Sequence, residues 1–154
     1  MVNNPTKSHF NEQTTKNKET VRKYFEEILN KKNMSVAKDI LTNNVVYSGL
    51  QTINGISDFT QSIDVLDNAF PDLYFTIGSK DDQIAEGNKV VTSWIMCGTH
   101  KNQFRSIQAT NKRFTVSGID VFHIATGGKI ETIRAYLDSL DMMQQLGVIP
   151  QLTK

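Results

Sequence analysis

Apolar positions along the chain recur first with a helical period and then, from about residue 73, with a strand period. From Asn17 the residues Val21, Tyr24, Phe25, Ile28 and Leu29 form one stripe, while Lys18, Glu19, Arg22, Lys23, Glu26 and Glu27 fill the other side. That spacing predicts an amphipathic helix ending in the polar break Asn30 to Asn33. Ser35 is placed to cap a second short helix carrying Val36, Ile40 and Leu41. Val45-Val46-Tyr47 reads as a short strand closed by Ser48-Gly49. Beyond the turn at Gly55, Ser57 or Asp58 can cap a third helix with Phe59, Ile63, Leu66 and Phe70 on one face. Pro71 stops it, because the residue before a proline is pushed out of the α region.

The remainder predicts strands. Leu73, Phe75 and Ile77 alternate, and Gln83 to Glu86 leads into a Gly87-Asn88 hairpin turn. Lys89 to His100 and Lys112 to Ile124 are long strands joined by an irregular connection holding Phe104 and Ile107. Gly127-Gly128 turns the chain into a last strand, Lys129 to Asp138. A final short helix holds Leu140, Met142, Met143 and Leu146, stopped by Gly147 and Pro150. Helices ahead of a run of hairpin strands predict an α+β domain, three to four helices on a curved antiparallel sheet of five or six strands. Residues 1–16 are polar and aperiodic and read as a flexible tail; 17–150 read as one domain.

Composition narrows the function. Net charge is +1 and basic residues are scattered, which argues against nucleic acid or a membrane surface as partner. No apolar run approaches the ~20 residues of a membrane span. The polar N-terminus and the single Cys97 lead us to expect a cytoplasmic protein without a disulfide.

Side chains two apart on a strand share a face. Trp94, Met96 and His100 therefore go together, as do Gly118, Asp120 and Phe122, and as do Arg134, Tyr136 and Asp138. The alternate sets, including Ile95, Val121, Ile133 and Leu137, are also apolar, so the pattern leaves open which set faces a pocket. We take the first sets, which join aromatics to ionisable groups. If nothing covers the alternate face, it predicts a homodimer or higher homo-oligomer packed through the sheet.

The segments "VRKYFEEILNKKN" (21–33), "AFPDLYFTI" (69–77), "EGNKVVTSWIMCGTHKNQF" (86–104), "FTVSGIDVFHIATGGKI" (114–130) and "MMQQLGVIP" (142–150) resemble the SnoaL-like polyketide cyclase family. That family lies within the cone-shaped folds typified by nuclear transport factor 2. The resemblance implies a cone-shaped α+β fold and ring closure by intramolecular aldol condensation. It also implies no cofactor, and an acidic general acid/base. By resemblance Asp138 matches the catalytic aspartate. Asp120 and Phe122 match pocket-lining positions where cyclases can carry Gln and His. Relatives read "HWD" in the last strand where this chain has Ile133-Arg134-Ala135.

The residues themselves leave alternatives. Asp138 is either a desolvated carboxylate poised for proton transfer or the N-cap of the final helix. Asp120 is either a pocket acid or the cross-strand partner of Arg134; paired with Arg134, a carboxylate stays ionised and makes a poor general acid, and its partner's role is then to orient substrate. His100 either reaches the pocket mouth or caps loop backbone. Trp94, Phe122, Tyr136, Tyr24 and Met96 are candidates to wall a small-molecule pocket, with Tyr136 able to hydrogen-bond a carbonyl. Two functions follow. One is a cofactor-independent lyase or isomerase with Asp138, His100 and Asp120 as its polar machinery. The other is a non-catalytic binding or dimerisation module.

Overall fold

The computed structural model describes residues 5–151, with side chains from Glu12 onward. Helix α1 (Pro5–Lys23) passes without a break into a π-helical turn, Tyr24–Asn30. Residues 5–16 are thus helical, not an aperiodic tail; residues 1–4 lie outside the described residues. Polar contacts tie this helix down, and hydrophobic periodicity does not register them. Asn17, buried, donates from Nδ2 to the Gly87 carbonyl at 3.1 Å. The π turn is marked by Lys31 N–H bonding the Glu26 carbonyl. Its wider winding brings Tyr24, Phe25, Ile28 and Leu29 all into the core.

A 3₁₀ turn (Met34–Val36) and helix α2 (Ala37–Ile40) follow, then β1 (Leu41–Ser48), β2 (Thr52–Asn54) and α3 (Ile56–Ala69). Neither predicted cap forms. Ser35 Oγ donates to Asn33 Oδ1 at 2.5 Å. The N-cap of α3 is Gly55, whose φ of 89° suits glycine. The strands β3 (Tyr74–Ile77), β4 (Ile84–Glu86), β5 (Lys89–Thr99), β6 (Arg113–Ile124) and β7 (Ile130–Leu137) precede α4 (Ser139–Gln145).

The four helices pack on a curved, unclosed sheet of seven strands. Its order is β2-β1-β7-β6-β5-β3, with β4 also on β5. The sheet is mixed, not wholly antiparallel: β1 runs parallel to β7, and with β2, α3 and β3 to β6 between them in the chain no hairpin dictates their sense. No described helix is long and apolar enough to cross a membrane.

The concave face carries Val90, Trp94, Met96, Phe114, Val116, Phe122 and Ile133, all buried in the core beneath the helices. Phe122 meets Tyr24 at 5.4 Å and Phe25 at 6.0 Å, both edge to face. Gly118 sits opposite Trp94, and a Cβ there would meet indole Cζ2 at 2.2 Å and the Tyr136 carbonyl at 2.6 Å. Glycine lets the indole lie directly on the β6 backbone.

Gly118→Ala is expected to destabilise the fold by about 1–3 kcal/mol through overpacking. Urea unfolding measures this. Emission from Trp94, the only tryptophan, should shift in the folded variant.

Candidate active site

Between the concave sheet and α3 lies a cavity of about 380 Å³. Its lower wall is Trp94, Met96, Phe75 and Asp120; α3 contributes Phe59, Ser62, Ile63 and Leu66. Tyr24 enters from the π turn and Tyr47 from β1, and Phe104 and Arg105 come from the β5–β6 connection. Ala135 and Leu137 of β7 and Met142 of α4 complete the far side.

Asp120 is the chemical centre of this lining, only 4% exposed. Its Oδ1 accepts from Trp94 Nε1 at 2.9 Å, its only hydrogen bond among the described residues. Burial in an apolar site pushes its carboxyl up from 3.8 to about 7, opposed only in part by the indole donor. The same desolvation, reinforced by the Asp120 charge, raises the Tyr24 phenol well above its ordinary value and pushes Tyr47 up to about 12. Both phenols line the cavity as protonated donors, and neither makes a hydrogen bond among the described residues. One carboxyl balanced near neutrality beside two donors can take a proton from carbon and hold an oxyanion.

Of the residues named from the sequence, Trp94, Met96, Tyr24 and Asp120 line this cavity together. The others do not join them. Asp138 is exposed and caps α4, its Oδ1 accepting from Asp141 N–H at 2.9 Å. This is the capping alternative, and it takes Asp138 away from the cavity. His100 is buried outside the lining, its ring 5.2 Å from Phe70 and its Nδ1 3.2 Å from Thr110 Oγ1. Its backbone N–H bonds the Lys112 carbonyl at 3.0 Å, so it closes the base of the β5–β6 connection. Burial lowers its pKa. Phe122 lies in the core beneath Tyr24, not on the cavity wall.

Arg134 and Tyr136 point outward, exposed on the convex face. The cause is register: Asp120 pairs with Ala135, and Arg134 with Val121. Arg134 therefore cannot neutralise Asp120. On β7 the inward set is Ile133, Ala135 and Leu137, the reverse of the set chosen from the sequence. Tyr47, Ser62 and Arg105 were missed as cavity residues. The strand parity of Val45 and Tyr47 signals the first; nothing in the local pattern signals Arg105.

The SnoaL-like polyketide cyclase family model matches residues 19–146. The chain belongs to the SnoaL-like polyketide cyclase family. Solved structures share the fold of this SnoaL-like protein. A SnoaL-like protein of Jannaschia sp. CCS1 is 21% identical, with a TM-score of 0.79 over 97% of this chain and 99% of that one. TsrD of Streptomyces laurentii is 24% identical, with a TM-score of 0.73 over 84% and 96%. IdmH of Streptomyces antibioticus is 18% identical, with a TM-score of 0.71 over 85% and 98%. Comparison with curated proteins finds no match.

The raised Asp120 pKa has a sign in stability. Below about pH 4 the carboxyl is neutral in folded and unfolded chains alike. As pH rises from there toward 7 the unfolded chain gives up its proton while the fold retains it, so stability falls until both are ionised. Asp120→Asn, which keeps an acceptor for Trp94, is expected to gain stability relative to the parent between pH 4 and pH 8. The gain is on the order of 4 kcal/mol at most. Denaturant titrations at the two pH values measure it, and a constant difference would refute the buried acid.

Proposed function

We propose that this SnoaL-like protein is a cofactor-independent lyase or isomerase that closes a ring in a carbonyl-rich small molecule, with Asp120 as its general acid/base. What carries the reading is a carboxyl held by one indole N–H inside an apolar cavity that also presents two free phenols. The ionised Asp120 takes a proton from the carbon beside a substrate carbonyl. The electron pair moves onto the carbonyl oxygen, where Tyr24 and Tyr47 donate hydrogen bonds to the enolate. The enolate carbon then attacks a second carbonyl of the same molecule, forming the new carbon–carbon bond. The resulting alkoxide recovers the proton from Asp120. An unshifted aspartate would be too weak a base for the first step; one near 7 is both ionised and basic at neutral pH.

Turnover of an aromatic diketone is expected to drop at least about 100-fold in Asp120→Asn. The parent's kcat/KM should rise with pH through about 7, as the base ionises. Asp138→Asn, altering only the α4 cap, should leave turnover unchanged. Loss of activity in Asp138→Asn with retention in Asp120→Asn would reverse the assignment.

We also propose that two copies pair through the convex face of the sheet. The exposed apolar residues there include Ile95, Ile119 and Tyr136; Ile133 and Leu137, expected on that face, turn inward. Light scattering should give a dimer for the parent and a monomer for Ile119→Lys. A monomeric parent would remove this interface.

A further inference from the structure

Two ionisable side chains of opposite sign line the cavity, Asp120 deep within it and Arg105 at its exposed rim. Every other lining residue is neutral. Arg105 stands in a tight turn closed by paired backbone bonds between Phe104 and Ile107, both 2.9 Å. Its φ is 55°, a left-handed conformation that glycine or asparagine adopts at lower cost. Gln103 Nε2 holds the Arg105 carbonyl at 2.7 Å. Phe104 anchors the turn by burying its ring 5.2 Å from Phe70. The guanidinium lies 5.6 Å from the Phe104 ring centroid. It has no acidic partner and donates no hydrogen bond to an oxygen acceptor among the described residues. The turn therefore holds an unneutralised cation at the entrance of an apolar chamber, with five N–H donors available to an incoming group.

We infer that the substrate is an apolar acid whose carboxylate docks on Arg105 at the rim while its reacting carbonyl lies at Asp120, an inference that rests on the proposed acid–base reading of the cavity. The single free cation among the described lining residues sets the orientation. A carboxylate pushed to the far end would lose its hydration in the apolar chamber with no cation there to replace it. At the rim it meets the guanidinium, which can bind it through two parallel N–H bonds. The chain thus selects a free acid over the corresponding neutral ester. Arg105 acts as a positioning and specificity residue and takes no part in proton transfer.

The test uses the full-length chain with 4-phenylbutanoate and its methyl ester, both small enough for the cavity, and reads quenching of Trp94 at pH 6. The acid is expected to bind roughly fivefold tighter than the ester. Arg105→Met should abolish that preference, and Arg105→Lys should keep part of it by retaining the charge without the fork. Equal binding of acid and ester to the parent, or a preference that survives Arg105→Met, overturns the inference and leaves the cavity reading standing. Quenching by neither ligand removes the ligand-binding cavity itself, and this inference falls with it.

Discussion

One extra residue in β7 decides what stands opposite Asp120. Ile124 pairs with Ile130, but His123 pairs with Thr132, which leaves Glu131 without a partner and makes a bulge. Continued without the bulge, the same ladder would set Arg134 across from Asp120 and turn Ala135 outward. A guanidinium at that place would hold the carboxyl ionised and fill the space that Ala135 leaves open. The bulge instead turns Arg134 to solvent and gives Asp120 a methyl group as neighbour. The absence of a cation beside Asp120 among the described residues, and the carboxyl chemistry that goes with it, follow from that displacement.

Once Arg134 is excluded, the environment of Asp120 is made by very few atoms. The indole of Trp94 lies on the bare backbone of Gly118 and directs its N–H to the carboxyl. One donor satisfies one oxygen and stabilises the charged form only partly. Desolvation dominates, and the proton is held to about neutral pH. A second donor or a cation would have made a sturdier and less useful acid. The π turn contributes from the other side by presenting Tyr24 inward together with Phe25, so a phenol and its supporting ring come from adjacent positions.

Most of the architecture was legible in the chain. The apolar stripe of α3, the alternation in β3, β5 and β6, and the turns at Gly87 and Gly128 all appear where periodicity and turn chemistry place them. Parity within each strand was also legible: Trp94 and Met96 share a face of β5, as Asp120 and Phe122 share one of β6. Register between strands was not. A hydrophobic pattern present on both faces of β7 cannot fix which set turns inward, and a bulge leaves no mark in composition. Asp138 shows the same limit from another side. A carboxylate at the end of a strand is equally well placed for a cavity or for the amides of the next helix, and only the three-dimensional course of Asp141 chose between them. Family membership carried the fold. The local backbone decided which of its acidic residues lies inside.

The Asn30 side chain has a consequence outside the cavity. It closes the π turn by pairing with Phe75 as a strand would, Nδ2 to the carbonyl and Oδ1 from the N–H, each at 2.8 Å. Phase and direction of β3 are set by this amide as well as by β5. The free margin of the sheet consequently offers a passing unfolded chain no open pair of backbone groups at that point. The amide caps that one backbone pair on the outer strand, a side chain standing where a neighbouring strand would otherwise dock.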